Sequence, residues 1–371
     1  MEANVSKKVD LTIFLPNLEA GGAERALTRL ANYFARQGLQ VDMVLVQAGG
    51  ALLKELSERV RVVDLAAYSK YTCTPKLIKY LRKYRPRVLL SSLVLTNLLA
   101  VICNRLTGSI ARVVVREAST LSYLRRNSKW KKWLERTLVR ILYPQANAVI
   151  AVSQGVANDL VNYTGISESI IEVIPNPVIT EDLFQKASEK VGHPWVNPDQ
   201  PPLVLSAGRL APEKNYELLL RAFAMVRQSM QAHLLILGEG SERQKLCTLV
   251  RSLGIETDVD MPGFAQNPFA YMSKASVFVL SSILEGLPNV LIEAMACGCP
   301  VVSTDCPSGP NEILRGGKYG HLVPVNDVPA MAQAIEAVLR GDRRMPTAKW
   351  LEQYRIESVA RRYRQVLDLP N

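Results

Sequence analysis

The stretch VDLTIFLPNLEAGGAERALTRLANYF, residues 9–34, contains an apolar run, a glycine pair and a helical pattern in succession. The run from Val9 to Leu15 is rich in β-branched and leucine side chains, which favours a buried strand. After Gly21 and Gly22, apolar residues recur at the spacing of one helix face, at Ala26, Leu27, Leu30, Ala31 and Phe34. The glycine pair either lets backbone N–H groups approach a phosphate or sugar oxygen closely, or only makes a tight turn.

The same alternation of strand and helix patterns continues along the chain and predicts parallel sheets covered by helices. The first series of predicted strands is Val9–Leu15, Val41–Val46, Val60–Leu65, Val88–Leu90, Val113–Val115 and Ala148–Val152. The second series is Leu203–Ser206, His233–Leu237, Val277–Leu280 and Val301–Ser303. Between them, the proline-rich segment from Pro175 to Pro202 marks the junction of two domains. Ligands bind beyond the carboxyl ends of strands in such sheets, so we expect the site in the interdomain cleft.

Composition indicates a globular protein, since 48% of its 371 residues are apolar and 21% are charged. The net charge of +11 favours anionic partners such as pyrophosphate, phospholipid or nucleic acid. Six scattered cysteines, with no apolar signal segment before the first motif, lead us to expect a cytoplasmic location. The longest apolar stretch, Val88–Cys103, is interrupted by polar residues and is shorter than the roughly 18 residues of a membrane span.

A second strand, loop and helix occurs at residues 203–223, and its loop carries Arg209 and Lys214. The planar guanidinium and the compact ammonium are both suited to binding a diphosphate, although surface ion pairs are the alternative. The next predicted strand ends at Gly238-Glu239-Gly240, which lacks the third glycine of a dinucleotide fingerprint. A nicotinamide cofactor is therefore disfavoured.

The strongest local signal is EGLPNVLIEA, residues 285–294, which places two glutamates on either side of a loop and a helix start. Glu285 lies in irregular backbone, whereas Glu293 falls in the first turns of the helix, so the two can contact one ligand from different ends. A carboxylate accepts hydrogen bonds from vicinal hydroxyls, which suits Glu293 to a ribose and Glu285 to a transferred sugar. Helix amides near Leu287 to Val290 are suited to phosphate oxygens.

Together these motifs resemble those of the family-four retaining glycosyltransferases, which have the GT-B fold. The matching segments, in family order, are Gly21–Arg25, Gly208–Arg209 with Glu213–Lys214, Pro262–Phe264, Glu285 with Glu293, and Ala296–Val302. The resemblance implies an α/β protein with two Rossmann-like domains facing across a cleft. Residues 1–178 would bind the acceptor and residues 179–348 the donor. Within residues 349–371, a helix at about Lys349–Leu367 would return to the first domain.

The resemblance also implies roles for individual residues, with Arg209, Lys214 and Glu285 as the catalytic candidates. Arg209 and Lys214 would neutralise the donor diphosphate, so that no metal or other cofactor is required. Glu285 would contact the sugar and Glu293 the ribose, while backbone around Phe264 would meet the base. The remaining donor-binding candidates are Gly21, Gly22, Gly208, Gly238, Gly286, Leu287, Pro288, Asn289 and Val290.

One position departs from the family pattern. Many relatives carry a histidine in the first domain near the reacting sugar, but the corresponding segment here reads VREAS, residues 115–119. Arg116 and Glu117 are therefore our candidates for lining the acceptor site. The family mechanism is described as a front-face displacement in which the leaving phosphate takes the acceptor proton, so a protein base is not required.

Two further patterns suggest a metal site only weakly. Asp258 and Asp260 match a two-carboxylate motif of the other large glycosyltransferase fold, but they fall in a predicted strand. Cys297 and Cys299 have no second cysteine pair at zinc-site spacing. We therefore predict no metal.

The segment from Lys129 to Leu142 predicts an amphipathic helix. One face would carry Trp130, Trp133, Leu134, Leu138 and Ile141, and the other Lys132, Arg136 and Arg140. Such a helix either lies at an anionic membrane surface, near a pyrophosphate-linked lipid, or packs a core stripe under a basic face. Nucleic-acid binding is disfavoured because no aromatic-interleaved module accompanies the charge.

The sequence thus predicts an enzyme that extends a glycan or a lipid-linked saccharide of the cell envelope, with a UDP-sugar as the favoured donor. It would associate peripherally with the cytoplasmic face of the inner membrane. The alternatives are a nucleotide-sugar isomerase or hydrolase of the same fold, and a noncatalytic nucleotide-sugar-binding subunit.

Overall fold

The computed structural model describes residues 9–19, 21–122, 129–197 and 199–370. The chain divides into two compact units, one of Met1–Pro177 with Tyr354–Asn371 and the other of Val178–Gln353. The domain boundaries that the sequence suggests, after residues 178 and 348, lie near these divisions. The predicted domains also include residues 1–8, 20, 123–128, 198 and 371, which are outside the described residues.

In its described part, the first unit contains a seven-stranded parallel sheet in the order β3-β2-β1-β4-β5-β6-β7. Its strands are β1 (Leu11–Leu15), β2 (Val41–Leu45), β3 (Arg61–Asp64), β4 (Val88–Ser92), β5 (Arg112–Glu117), β6 (Ala148–Ala151) and β7 (Ile171–Val173). Its helices are α1 (Gly22–Arg36), α2 (Lys70–Tyr84), α3 (Val94–Leu106), α4 (Lys129–Leu142), α5 (Gln154–Thr164) and, from the end of the chain, α14 (Ile356–Leu367).

The described part of the second unit contains a six-stranded parallel sheet in the order β10-β9-β8-β11-β12-β13. Its strands are β8 (Leu203–Ala207), β9 (His233–Leu237), β10 (Val259–Gly263), β11 (Val277–Leu280), β12 (Val301–Thr304) and β13 (His321–Val323). Its helices are α6 (Glu181–Ala187), α7 (Tyr216–Ser229), α8 (Arg243–Leu253), α9 (Pro268–Met272), α10 (Asn289–Ala296), α11 (Pro310–Leu314), α12 (Val328–Leu339) and α13 (Ala348–Leu351).

Both sheets are doubly wound, which confirms the α/β fold class. In the first sheet the order of strands reverses between β1 and β4, and in the second it reverses between β8 and β11. The strands are buried on both faces, as expected for parallel sheets covered by helices, and only β3 and β7 at the edges of the first sheet lack a buried residue among the described strands. Each reversal creates a gap between the loops at the carboxyl ends of two adjacent strands, where doubly wound proteins bind ligands.

The C-terminal segment packs on the first unit, as predicted, but it is not one helix from 349 to 367. Helix α13 ends at Leu351, a short 3-10 turn follows over Glu352–Tyr354, and Arg355 is extended before α14 begins. The two helices are anchored in different units. The Trp350 indole donates a hydrogen bond to the Ile313 carbonyl at 2.9 Å, whereas Tyr363 lies fully buried in the core that contains β1 and α1.

Within the described residues, no helix combines the length and the apolar character that are needed to cross a membrane. The long apolar stretch at residues 88–103 instead forms the buried strand β4 and most of helix α3, in agreement with its sequence pattern.

Candidate active site

The loops that follow β8 and β11 meet where the strand order of the second sheet reverses. Lys214 lies in the loop after β8, and its Nζ donates to Oε1 of Glu285, in the loop after β11, at 2.6 Å. Both side chains are largely buried, with 21% and 11% of their surfaces exposed. The structure therefore brings together two of the three catalytic candidates, although 71 positions separate them in the sequence.

Two serines directly after β11 hold this arrangement and were not singled out from the sequence. The Ser282 hydroxyl donates to the same Glu285 oxygen, Oε1, at 2.7 Å. The Ser281 hydroxyl donates to the Lys214 carbonyl at 2.8 Å, and the Ile283 N–H donates to the Glu213 carbonyl at 2.9 Å. Polar residues immediately after a buried strand, on the side of the reversal, are the signal that could have identified them.

Arg209, the third catalytic candidate, lies on the outside of the same loop. Its guanidinium pairs with Glu213 at 2.8 Å, and 72% of its side chain is exposed. An exposed pair of this kind contributes little to stability, so the guanidinium can exchange its partner for a ligand at small cost. The structure therefore places Arg209 on the exposed side of the loop that holds Lys214.

Three glycines line the carboxyl ends of β8, β9 and β10. The Gly208 N–H donates to the Leu237 carbonyl at 2.9 Å, and the Gly238 N–H donates to the Gly263 carbonyl at 2.8 Å. Gly238 has a φ of +143°, and a Cβ atom there would lie 1.9 Å from the Gly208 carbonyl oxygen, so only glycine permits this close approach. Phe264 follows Gly263 and is 67% exposed. The donor-binding candidates Gly208, Gly238 and Phe264 therefore lie at the carboxyl ends of three neighbouring strands.

The second glutamate of the motif lies on helix α10, where Glu293 is 8% exposed. The loop before this helix is tightly held, because the Ser308 hydroxyl donates to the Gly286 carbonyl at 2.8 Å. Gly286, Leu287 and Pro288 are buried, and the first helical residues, Asn289 and Val290, are half-buried. The predicted contacts of this segment with phosphate and ribose stay predictions.

The glycine pair of the first unit lies at the other reversal, between β1 and β4. Gly21 is the residue before α1, with extended backbone, and Gly22 is the first helical residue. The Glu24 carboxylate folds back over Gly21, since a Cβ atom on Gly21 would lie 2.1 Å from Glu24 Oε2. A carboxylate in the first turn is favoured by the helix dipole. The role of the pair in contacting a ligand stays a prediction.

The acceptor-side candidate Arg116 is fully buried in the first unit and contacts protein groups. Its guanidinium donates to the Tyr363 hydroxyl at 3.0 Å, to the Ser92 hydroxyl at 3.0 Å and to the Asn176 side-chain oxygen at 2.5 Å. These three partners come from α14, β4 and the segment after β7. Arg116 thus has a structural role, and its contact with an acceptor stays a prediction.

The other acceptor-side candidate, Glu117, is equally buried and is held by the Tyr143 hydroxyl and the Asn97 amide, the latter at 2.9 Å. Burial raises the pKa of the Glu117 carboxyl to about 7, although both hydrogen bonds favour the ionised form. A carboxyl group that titrates near neutrality is able to accept or donate a proton, but its contact with an acceptor also stays a prediction.

Comparison with known proteins assigns the chain to a family. A family model described as glycosyltransferase family 4 matches residues 20–182, and one described as glycosyl transferases group 1 matches residues 189–357. A relative from Campylobacter jejuni is 31% identical over 342 residues, which cover 90% of this chain and 91% of the relative. It is described as N-acetylgalactosamine-N,N'-diacetylbacillosaminyl-diphospho-undecaprenol 4-alpha-N-acetylgalactosaminyltransferase. The chain belongs to the family-four glycosyltransferases.

A second Campylobacter jejuni relative, an alpha-1,4-N-acetyl-D-galactosaminyltransferase, is 30% identical over 90% of this glycosyltransferase and 89% of its own length. Among solved structures, Anabaena Alr3699/HepE in complex with UDP and glucose superposes with a TM-score of 0.82 at 19% identity, covering 97% of this chain and 99% of that one. Apo WaaB, a lipopolysaccharide outer core galactosyltransferase, superposes with a TM-score of 0.74 at 20% identity, covering 96% and 98%. These likenesses confirm the GT-B fold.

The two aspartates weighed as metal ligands contact protein side chains in this glycosyltransferase. Asp258 pairs with Arg227 at 3.0 Å, and Asp260 contacts the His193 ring at 2.9 Å. Cys297 and Cys299 have free thiols whose pKa values are raised by burial. In the part of the enzyme that the structure describes, no three His, Cys, Asp or Glu side chains come together as a metal site.

Helix α4 turns its tryptophan face outward. Trp130 and Trp133 are 64% and 53% exposed, and their rings stack with centroids 4.8 Å apart. Leu134 and Ile141 are exposed as well, whereas the buried side of the helix carries Glu135 and Val139. The alternative in which the tryptophans form a core stripe is therefore wrong. This face of α4 is therefore an exposed apolar surface.

Proposed function

We propose that the enzyme is a retaining, metal-independent glycosyltransferase that moves a hexose or an N-acetylhexosamine from a UDP-sugar to a hydroxyl of a glycan or lipid-linked saccharide. The two Campylobacter relatives support this, because their names specify undecaprenol-linked acceptors and N-acetylgalactosaminyl transfer. A lipopolysaccharide 1,6-galactosyltransferase of Escherichia coli is also related, at 25% identity over 87% of this chain. The superposed HepE complexes contain UDP. We therefore place the reaction in the biosynthesis of envelope polysaccharide or glycolipid.

The observation that carries the proposal is the Lys214 and Glu285 pair at the reversal of the second sheet. During transfer, the bond between the sugar and the diphosphate breaks and negative charge grows on the leaving oxygen. Lys214 and Arg209 would stabilise that charge, while Glu285 would fix the sugar through its hydroxyls. In a front-face displacement, the acceptor oxygen attacks from the side that the diphosphate leaves, and the leaving oxygen takes its proton.

The test is a donor panel of UDP-GalNAc, UDP-GlcNAc, UDP-Gal, UDP-Glc and GDP-Man, each with and without an undecaprenyl-diphosphate-linked saccharide. We expect nucleotide release that depends on the acceptor, and a product in which the new glycosidic bond has the α configuration of the donor. Release without acceptor would instead support a hydrolase. Binding of a nucleotide sugar without any turnover would support the noncatalytic subunit.

We predict that chelation leaves transfer unchanged. Because Arg209 and Lys214 supply the positive charge that a divalent ion supplies in other enzymes, excess EDTA should reduce the initial rate by less than about twofold. The measurement is the rate of product formation with the best donor of the panel, before and after chelation. Loss of activity that Mn²⁺ or Mg²⁺ restores would contradict the prediction and point to the Asp258 and Asp260 carboxylates.

We further propose that the enzyme binds anionic membranes peripherally through helix α4. The helix presents the exposed Trp130 and Trp133 together with the exposed Arg136 and Arg140. Tryptophan rings are favourable at the membrane interface, and each basic residue near an anionic surface contributes about 1 kcal/mol. Such binding would hold the enzyme at the surface where a lipid-linked acceptor lies.

The membrane proposal predicts salt-sensitive binding to vesicles. We expect the protein to sediment with phosphatidylglycerol-containing vesicles at low salt and to be released at high salt, because exposed charges are screened. Glutamate at Lys132, Arg136 and Arg140 should abolish sedimentation, as should alanine at both tryptophans. A matched control is glutamate at Arg221, Lys245 and Arg251, which changes the net charge equally on helices of the second unit. Equal loss with both triple variants would show that total charge, and not α4, determines binding.

A further inference from the structure

The carboxylate of Glu285 is held by a chain of hydrogen bonds that begins in the sheet. The Thr304 hydroxyl, on β12, donates to the Ser282 carbonyl at 2.5 Å. The Ser282 hydroxyl then donates to Glu285 Oε1 at 2.7 Å, on the same oxygen that accepts from Lys214 at 2.6 Å. Ser282 and Thr304 are both fully buried. The position of this carboxylate is therefore tied to the rigid core of the second unit.

The two groups that donate hydrogen bonds to Glu285 Oε1, from Lys214 and Ser282, differ in the other contacts that they can make. An ammonium group has three N–H donors, and Lys214 is also a candidate ligand of the diphosphate, so a donor substrate competes for it. The buried hydroxyl of Ser282 has a single proton, which it uses in the hydrogen bond that it donates to Glu285. When charge develops on the diphosphate and attracts Lys214, Ser282 is the contact that keeps the carboxylate in place.

We infer that Ser282 is a positioning residue for sugar recognition: it fixes Oε1 of Glu285, so that Oε2 is directed at the hydroxyls of the transferred sugar. The inference rests on the proposed function, since it takes Glu285 as the residue that contacts the donor sugar. Ser282 itself does not contact the substrate. Its effect is confined to the part of the donor beyond the diphosphate.

The Ser282→Ala variant should weaken binding of the nucleotide sugar and leave binding of the nucleotide alone unchanged. Removing a hydrogen bond to a charged group should lower the affinity for the nucleotide sugar roughly 10-fold or more. UDP lacks the sugar that Glu285 would contact, so its affinity should change by less than about twofold. A general disturbance of the site would weaken both ligands.

The experiment is calorimetric titration of UDP and of UDP-GalNAc, or of whichever UDP-sugar the donor panel selects, into wild type and Ser282→Ala. Ser303→Ala is the matched control, because Ser303 is equally buried, lies on β12 and donates to the Thr304 carbonyl at 3.0 Å, outside the Glu285 contacts. Thr304→Val is a second variant, which removes the hydrogen bond to the Ser282 carbonyl. We expect it to weaken binding of the UDP-sugar less than Ser282→Ala does, and to leave binding of UDP unchanged. A Glu285→Ala background provides the decisive comparison, since Ser282→Ala should add nothing once its hydrogen-bond acceptor is absent.

Equal weakening of UDP and UDP-sugar by Ser282→Ala, or an additive loss in the Glu285→Ala background, would overturn the inference. Unchanged binding of both ligands in both Ser282→Ala and Thr304→Val would overturn it too. Failure of the proposed function has a different signature, because wild type itself would then bind none of the nucleotide sugars of the panel, or would bind one without transferring its sugar.

Discussion

Replacing Lys214 with alanine should lower the turnover number by roughly 30-fold to 1000-fold, about 2–4 kcal/mol of transition-state stabilisation. The ammonium is largely buried and already fixed in position by Glu285 at 2.6 Å, so it requires little rearrangement as charge develops on the leaving diphosphate. The substitution also removes one of the two donors to Glu285 Oε1. The measurement is the initial rate at saturating donor and acceptor.

Arg209→Ala should have an effect in the same direction, and a smaller one. Its guanidinium is mostly exposed and pairs with Glu213, so solvent screens its charge more strongly. Arg221→Ala is a matched control, because Arg221 forms a comparable exposed pair with Glu217 on α7, at 2.9 Å. Wild-type turnover in both Lys214→Ala and Arg209→Ala would show that these cations do not bind the diphosphate.

Replacing Tyr363 with alanine should destabilise the first unit by about 3–5 kcal/mol, the range for losing a large aromatic side chain from a core. The ring is fully buried among residues of β1, α1 and α14. Its hydroxyl accepts a hydrogen bond from the fully buried Arg116, so the substitution also removes a partner from a buried charge. The measurement is the free energy of unfolding from urea titration, followed through the first unit by a local probe.

The two contributions can be separated. Tyr363→Phe keeps the ring and removes only the acceptor for Arg116, which should cost about 1–3 kcal/mol. Tyr68→Ala controls for the loss of a tyrosine, because Tyr68 is 85% exposed and its removal should change stability by less than about 0.5 kcal/mol. A Tyr363→Ala effect as small as that of Tyr68→Ala would show that α14 is dispensable for the first unit.

The alternation of apolar runs and helical patterns was sufficient to predict the α/β class, because strands buried on both faces need continuous apolar side chains. The edge strands β7 and β13 were not predicted. Each has only three residues, and Ile171–Val173 contains an exposed glutamate, so neither has a run long enough to be recognised. The break between α13 and α14 was missed as well, since two helices that are anchored in different units give one continuous pattern in the sequence.

The sequence predicted which residues belong to the candidate site, but it did not predict which of them contact one another. Motif spacing identified Lys214 and Glu285, but the pairing depends on the positions of β8 and β11 as neighbours, which only the topology fixes. Ser282 directly follows a buried strand, which is a signal in the sequence, but its bond to Glu285 is visible only in the fold. For α4, periodicity predicted which residues share a face but not which face is buried. The structure buries Glu135 and exposes both tryptophans, which decides between the two alternatives that the sequence left open.

The return of the chain to the first unit sets an order for folding during synthesis. Residues 178–353 are contiguous, so the second unit is complete in sequence before the ribosome has made α14. The first unit begins earlier, but the core around β1 and α1 lacks Val359, Tyr363 and Leu367 until α14 has emerged. The usual order, in which N-terminal domains fold first, is therefore reversed for the final packing step. A nascent chain that stalls before Tyr354 would carry a complete second unit and an open, apolar face on the first, which is a substrate for chaperones.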